Sequence, residues 1–378
     1  MAKIVLGSYM VRFPLGGMLS WVLQYLVGLQ RLGHDVYFVE KSGYSGSCYD
    51  PERDVKSDDC SYGLRVVAEL LGGFGLGDRW CFVDAAGSYH GMSRRAVEGA
   101  FRQADAFVDM GTHGSWAEEA ASAGARILID GEPGRTQMNM ETGAAELAGY
   151  DVYVTTGRSI GTPLSPAPTA NRTWLPVFHP VVVDLFDTVP PPPGSPFTTV
   201  MKWRSYKPVE YRGQSFGSKD VEFEKFRDLP RRVDPDLELA LTGDADREGL
   251  EAVGWRVRDG RAVTRSVQTF FDYVGASAAE FSVAKNVFVA SATGWFSDRS
   301  AVYLAQGRPV VLQDTGFGEH LPCGEGLFAV RDADEAAAAI TEIAGDYDRH
   351  AKRARDIACE FLDTAKVLPD LLSRAGIV

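Results

Sequence analysis

The order of apolar and polar residues predicts alternating strands and helices from the first residues onwards. A buried strand over residues 3–8 precedes an amphipathic helix over 18–33, and a second strand follows over 35–40. Glycine at the helix end and the right-handed crossover rule make this a β-α-β unit. Further strands are predicted at residues 80–84, 104–110, 125–130 and 151–155. The pattern is typical of a doubly wound α/β domain.

A run of four prolines interrupts this alternation and predicts an interdomain linker over residues 189–196. A second β-α series follows it, with amphipathic helices after Asp332. The predicted strands of this half lie at residues 197–203, 237–242, 279–285, 309–313 and 327–330, and the helices at 335–343 and 347–362. We therefore expect an α/β protein with two doubly wound Rossmann-like domains that face a cleft.

Composition narrows the class of protein. Lys and Arg number 39 against 51 Asp and Glu, and this formal charge of -12 argues against a nucleic-acid partner. The chain begins in a strand without a signal-peptide pattern and has no bilayer-length apolar run, so we expect a cytoplasmic protein without membrane attachment. Five cysteines without a Cys-x-x-Cys pair and six scattered histidines predict neither a disulfide framework nor a tightly held metal, and they leave a loosely held magnesium ion open.

The most informative segment spans residues 291–321. It consists of a glycine-containing loop, a short helix with a polar start, a strand and a second glycine-containing polar loop. Ser297 or Asp298 is a plausible N-cap, and a helix start offers unpaired amides to an anion such as a diphosphate. The alternative is that Gly294 and Gly316 only permit tight turns and that Asp298 only caps a helix.

Three strings in this segment carry a family resemblance: Gly-Trp-Phe-Ser-Asp-Arg-Ser at 294–300, Leu-Ala-Gln-Gly-Arg-Pro-Val-Val at 304–311, and Asp-Thr-Gly-Phe at 314–317. Near the N-terminus, Leu-Gln-Arg-Leu-Gly-His-Asp-Val at 29–36 follows a Gly-Gly pair. The segment resembles the donor half of GT-B glycosyltransferases, in particular uncharacterised actinobacterial members. The resemblance spans both halves in order, although it is thin over residues 46–100.

The resemblance implies sugar transfer from a nucleoside diphosphate sugar as co-substrate, with no tightly bound cofactor. It places the acceptor in residues 1–188 and the donor in 197–345, with 346–378 packing back across the cleft. The implied donor-binding residues are Thr293, Gly294, Trp295, Phe296, Ser297, Asp298, Arg299, Ser300, Asp314, Thr315, Gly316 and Phe317. Val302 stands where many relatives carry a ribose-binding glutamate, so the nucleotide stays unidentified.

Polar residues at other predicted strand ends complete the expected site. Arg204 and Lys219 follow the first strand of the second domain and are expected to hold the diphosphate. His113 and Glu132 are the candidate catalytic bases, although His113 is also explained as a loop histidine bonded to backbone. The expected acceptor-binding residues are Gly16, Gly17, Asp130 and Gln137.

The expected acceptor is a small molecule, such as a secondary-metabolite aglycone or a nucleobase. Two other functions fit the same scaffold: a nucleotide-sugar epimerase, which needs no acceptor, and a non-catalytic two-lobed binding protein. The glycines at residues 72–77 do not indicate a dinucleotide site, because they follow a helix and precede a strand.

Overall fold

The computed structural model describes residues 1–377, which form two α/β lobes. The strands of the N-terminal lobe are β1 (Lys3–Gly7), β2 (Asp35–Lys41), β3 (Cys48–Asp50), β4 (Val55–Ser57), β5 (Trp80–Val83), β6 (Tyr89–Gly91), β7 (Ala106–Asp109), β8 (Ala125–Asp130), β9 (Val152–Thr155) and β10 (Trp174–Pro176). Its helices are α1 (Gly16–Arg31), α2 (Ser61–Gly73), α3 (Arg94–Arg102), α4 (Ala117–Ala120) and α5 (Arg135–Glu141).

The C-terminal lobe begins after the proline run. Its strands are β11 (Phe197–Lys202), β12 (Val209–Tyr211), β13 (Gln214–Phe216), β14 (Leu237–Thr242), β15 (Arg256–Asp259), β16 (Ala279–Ser282), β17 (Val310–Gln313) and β18 (Leu327–Val330). The helices that follow β13 are α6 (Lys219–Phe223), α7 (Arg247–Ala252), α8 (Gly260–Val263), α9 (Val267–Ala276), α10 (Asn286–Ala290), α11 (Asp298–Ala305), α12 (Ala333–Gly345), α13 (Tyr347–Ile357) and α14 (Thr364–Arg374).

Both sheets have the doubly wound order that the sequence predicts. The N-terminal lobe contains an eight-stranded sheet in the order β10-β9-β8-β7-β1-β2-β5-β6, in which only β6 runs antiparallel to its neighbour. The six strands of the C-terminal lobe are parallel, in the order β15-β14-β11-β16-β17-β18. The strand order reverses between β1 and β7 and between β11 and β16. At such a reversal a crevice opens at the carboxyl ends of the strands.

The end of the chain returns to the N-terminal lobe. Leu368, Leu371 and Leu372 of α14 are buried in the same apolar core as α1 and the N-terminal sheet. The helix expected over residues 347–362 is α13 followed by a π-helical turn, and Asp363 then caps α14. The segment limits expected at 189–196, 197–345 and 346–378 remain predictions. Within residues 1–377, no helix is long and apolar enough to cross a membrane.

Candidate functional site

A cleft with a volume of about 320 Å³ lies between the lobes, at the carboxyl ends of the central strands. Its walls come from loops that follow β1, β7 and β8 on one side and β11 and β16 on the other. The residues that line this cleft include Tyr9, Gly17, Trp21, His113, Asp130, Glu132, His179, Lys202, Lys219, Lys285, Trp295, Ser297, Asp298 and Arg299.

One wall of the cleft is the loop after β7, which carries His113. The carboxylate of Asp109 accepts hydrogen bonds from the backbone of Gly111, Thr112 and Gly114 and from the hydroxyls of Thr112 and Tyr150. These bonds fold the loop around the end of the strand. His113 has a left-handed backbone (φ 51°), and its imidazole makes no hydrogen bond to a described residue. His113 is exposed and lines the cleft.

The loop after β8 is held in the same way by Asp130. Its carboxylate accepts from the backbone of Glu132 and from the side chains of Thr136, Gln137 and Thr155. Burial raises the pKa of Asp130, and these donors partly oppose that effect. The expected acceptor-binding role of Asp130 and Gln137 is not supported, because both side chains are committed to this network. The buried Gln137 also accepts from the backbone of Gly134 and does not line the cleft.

The two glycines expected to bind acceptor lie in different surroundings. Gly16 is packed against the C-terminal lobe: its amide donates to Thr264 O at 2.6 Å, and an added Cβ would lie 2.3 Å from Ser266 O. This contact between lobes corrects its assignment to acceptor binding. Gly17 begins the open part of the cleft wall, where an added Cβ would meet nothing within 4 Å.

Lysines supply the positive charge in the cleft. Lys219, at the start of α6, is buried and makes no hydrogen bond to a described residue. Burial, followed by the charges of Arg299 and Lys285, lowers its pKa well below the ordinary value. Lys202 ends β11, and Lys285 reaches across the cleft to pair with Glu132. An anionic ligand in the cleft would pair with Lys219, which has no partner among the described residues.

Arg204 was expected to be the second diphosphate residue, and the structure corrects this. Its guanidinium is exposed and donates to Asp220 at 2.6 Å and to Asp244 at 2.9 Å. The side chain does not line the cleft. Two carboxylates hold it outside the cleft: that of Asp220, which is largely buried, and that of the exposed Asp244, 40 positions away.

Arg299 lines the cleft, but its donors are already used. They bond to Glu280 at 2.5 Å, to Val200 O at 3.0 Å and to Ser282 Oγ at 2.7 Å. Glu280 and Arg299 form a buried ion pair below the start of α11. The guanidinium thus links β11 to β16 where the two strands diverge. Its N–H groups are bonded to the protein, so few of them remain to bind a nucleotide sugar.

Half of the motif at 293–300 faces away from the cleft. Thr293 O accepts from Ser159 N at 2.9 Å, and Gly294 (φ 71°) lies so close to Ser159 that an added Cβ would be 2.6 Å from its Oγ. Phe296 and Ser300 are buried in the protein. These four residues hold the lobes together or pack the core, which corrects their assignment to donor binding.

The loop after β17 was expected to contact the sugar and lies elsewhere. Asp314 folds its own turn by accepting from Gly316 N at 2.8 Å, and Thr315 Oγ1 donates to Trp295 O at 2.6 Å. Phe317 is buried in the core, and Gly316 is left-handed at φ 93°. The loop therefore holds the segment that carries Trp295, on the side of that segment away from the cleft. None of these four residues lines the cleft, so their expected contact with the sugar is corrected.

The sequence did not single out several residues of the cleft wall. Lys202 and Lys285 occupy strand-end positions, which is the signal that could have identified them. His179 was interpreted as a packing residue, yet it lines the cleft. Trp21 lies on the cleft side of α1, and its indole donates to His179 Nδ1 at 3.2 Å. Within residues 1–377, no group of three or more His, Cys, Asp or Glu side chains is arranged to hold a metal ion.

Comparison with known proteins defines the class of this fold. No protein-family model and no curated protein sequence matches the chain. Among solved structures, an alpha-glucosyltransferase in complex with UDP and a 13-mer DNA containing a HMU base is similar at a TM-score of 0.62 and 10% identity, over 99% of both chains. Anabaena Alr3699/HepE in complex with UDP-glucose is similar at a TM-score of 0.56 and 13% identity, over 100% of both chains. The chain therefore has the GT-B glycosyltransferase fold.

The expectation that nucleic acid is excluded as a partner is wrong. An alpha-glucosyltransferase solved with UDP and a 13-mer DNA containing a central A:G mismatch has this fold, with a TM-score of 0.60 and 11% identity over 100% of both chains. Net charge summed over a whole chain does not report the charge of a cleft. The lining of this cleft holds three lysines and Arg299 together with three carboxylates, those of Asp130, Glu132 and Asp298. The class of acceptor is therefore open.

Proposed function

We propose that the protein is a glycosyltransferase that moves a sugar from a nucleoside diphosphate sugar to an acceptor bound in the interlobe cleft. The observation that carries this proposal is Lys219, a buried lysine without a protein partner at the cleft of a GT-B fold. Burial disfavours the charged form of Lys219, and a bound anion would stabilise that form, so a buried lysine without a protein partner at a cleft indicates an anionic ligand. UDP and UDP-glucose in the solved structures of this fold support a nucleotide ligand.

The diphosphate is proposed to lie among Lys202, Lys219 and Lys285. When the bond between the sugar C1 and the phosphate oxygen breaks, the departing nucleoside diphosphate gains negative charge. Lysines at this position stabilise that charge, and the start of α11 at Ser297 and Asp298 adds its unpaired backbone amides. No role in binding phosphate is retained for Arg204.

Of the two candidate bases, we assign proton removal from the acceptor to His113. Its imidazole faces the cleft without a protein hydrogen bond among the described residues, so it is available to an acceptor hydroxyl or nitrogen. Glu132 is instead paired with Lys285, and its second oxygen is buried without a partner. We propose that Glu132 orients Lys285 toward the diphosphate.

Nucleotide binding tests the donor site. We first select the base by thermal shift with uridine, guanosine and thymidine diphosphates and their sugars, since a ligand of the native state raises its melting temperature. Calorimetry with the selected diphosphate then compares Lys219→Met with Arg204→Ala. Lys219→Met should weaken binding by at least about tenfold, because a charge-assisted contact is lost. Arg204→Ala should bind as the wild type does, and equal affinity in both variants would contradict the proposal.

Product analysis tests the reaction class. Donor sugar incubated alone should be recovered unchanged, whereas an altered sugar would indicate an epimerase. The acceptor panel should include aglycones, nucleobases and DNA with a hydroxymethylated base. His113→Ala should reduce transfer by about 100-fold with little change in donor affinity, as expected for loss of a general base. Near-normal turnover in that variant would remove His113 from the mechanism.

A further inference from the structure

His179 occupies a position in the cleft that packing alone does not explain. It is buried, yet it lines the same cleft as Lys219 and Asp298. Trp21 Nε1 donates to its Nδ1 at 3.2 Å, and the two rings meet edge to face. Indole N–H is only a donor, so Nδ1 must be the acceptor, and the proton of the neutral ring lies on Nε2. No described residue accepts a hydrogen bond from this Nε2.

The backbone around His179 is fixed, which gives the ring a defined position. Val182 N donates to Gln24 Oε1 of α1 at 2.6 Å, and Val181 N donates to Leu362 O at 2.8 Å. Pro180 follows the histidine and restricts its backbone to extended conformations. The Nε2–H group is therefore presented to the cleft by a rigid segment between the lobes.

The surroundings indicate which part of a ligand would meet this donor. The charge of Asp298 acts on both His179 and Lys219, and the charge of Glu132 also acts on His179. His179 lines the same cleft as the residues proposed to hold the diphosphate. Burial lowers the pKa of His179, which favours the neutral ring over imidazolium. In a nucleoside diphosphate sugar, two neutral hydroxylated groups flank the diphosphate: the ribose and the transferred sugar. The transferred sugar is the one that faces the acceptor, and His179 is bonded to α1 of the N-terminal lobe, the lobe that carries the proposed base His113.

We propose that His179 binds a hydroxyl group of the transferred sugar through its Nε2–H, and that Trp21 is the positioning residue that fixes the required tautomer. This inference rests on the proposed function. In this arrangement the hydroxyl oxygen accepts the hydrogen bond from His179 Nε2–H. His179 would therefore distinguish a sugar-bearing donor from the free diphosphate.

The test compares the affinities for UDP and UDP-glucose by calorimetry. In His179→Leu the affinity for UDP should stay within about twofold of the wild type, whereas that for UDP-glucose should fall about fivefold or more, as for a lost hydrogen bond. His179→Gln retains an acceptor for Trp21 and a donor for the sugar, and it should recover most of the loss. Trp21→Phe, which keeps an aromatic ring but removes the indole donor, should show a smaller loss for UDP-glucose only.

Three results would overturn the inference. One is unchanged UDP-glucose affinity in His179→Leu, and a second is an equal fall for both ligands, which would indicate a structural role. The third is a wild type for which the sugar adds no affinity to UDP. If His179→Leu does not fold, Trp21→Phe gives the comparison instead, because it too should lower the affinity for UDP-glucose and not that for UDP. Failure of the proposed function would look different, because the wild type would then bind no nucleoside diphosphate at all.

Discussion

At the scale of single residues, three carboxylates shape the N-terminal side of the cleft. Glu40, Asp109 and Asp130 lie near the carboxyl ends of β2, β7 and β8. Glu40 accepts from the backbone of residues 10–12 and from the side chain of Arg12, and the two aspartates fold their loops through comparable bonds. Burial raises the pKa of Glu40 and of Asp130. A buried carboxylate with several donors fixes a loop more firmly than turn residues alone.

Asp109→Asn tests whether such a carboxylate sets the position of His113. An amide accepts through one oxygen only, so donors among Thr112, Gly114 and Tyr150 lose their partner. We expect the free energy of unfolding to fall by about 1–3 kcal/mol and transfer to fall about tenfold, with nucleotide affinity nearly unchanged. Chemical denaturation, calorimetry and turnover measure the three quantities.

Asp151→Asn is the matched control for this experiment. Asp151 pairs with the partly exposed Arg126 outside the cleft, so its loss should cost less than about 1 kcal/mol and leave transfer intact. Wild-type turnover in Asp109→Asn would show that the anchored loop conformation is not needed for the reaction.

Strand-end position is the reason the sequence identifies part of the site. His113, Glu132 and Lys219 all lie in the cleft wall, as their positions after predicted strands suggest, although their roles stay predictions. The sequence misassigned Arg204 because its direction is set by Asp244, which only the folded chain brings near. His179 was missed because neither its neighbours in sequence nor its residue type reveals the indole of Trp21.

At the scale of secondary structure, α14 completes the N-terminal lobe from the far end of the chain. Gly28, in the middle of α1, allows the two helices to approach closely. An added Cβ would lie 2.6 Å from Thr364 Cγ2 and 2.8 Å from Leu368 Cδ1. Glycine inside a helix is otherwise unfavourable, so its presence here reflects this packing.

Gly28→Ala should therefore lower stability although alanine favours helix. We expect a loss of about 1–3 kcal/mol from overpacking, measured by chemical denaturation. Gly72→Ala, at the exposed end of α2 where nothing lies within 4 Å, should be neutral or stabilising by up to about 1 kcal/mol. Similar effects in the two variants would mean that α14 is not docked on α1 in solution.

Periodicity predicted most elements, including a helix that ends at residue 362, but not the contact that ends this helix. Apolar runs marked the central strands of both sheets, because strands buried on two faces are almost continuously apolar. The sequence predicts a helix over residues 347–362, but no glycine or proline in that range marks its end. The structure ends it by pairing Thr364 N with Val181 O, a contact that no local pattern contains.

At the scale of the whole molecule, the two doubly wound lobes follow from length and element order, but the contacts between them do not. In the sequence, residues 293–294 resemble a ligand-binding loop. Glycine-containing polar turns can bind a ligand, but they can equally pack against the backbone of a neighbouring segment. Here they meet the N-terminal lobe: Gly157 and Trp295 form an isolated β-bridge, and Ser159 Oγ bonds to His320 Nε2 at 2.9 Å. Only the relative placement of the lobes shows whether such a turn binds a ligand or contacts the other lobe.

Gly294→Ala would disturb that placement without touching the lysines of the cleft. The new Cβ would lie 2.6 Å from Ser159 Oγ and 2.9 Å from its amide, so the two loops must move apart at this contact between the lobes. We expect a larger radius of gyration in X-ray scattering and about tenfold slower transfer, because the reaction uses groups from both lobes. Diphosphate affinity should remain within about threefold, since Lys202 and Lys219 share one lobe.

Gly324→Ala separates backbone strain from loss of the lobe contact. Gly324 is also left-handed, at φ 102°, but an added Cβ there meets nothing within 4 Å. Both variants should lose about 1–2 kcal/mol of stability from the alanine conformation, and only Gly294→Ala should slow transfer. Equal turnover in the two would show that the contact at Ser159 is dispensable. Loss of diphosphate binding in Gly294→Ala, with unchanged scattering, would instead return residues 293–294 to the donor site.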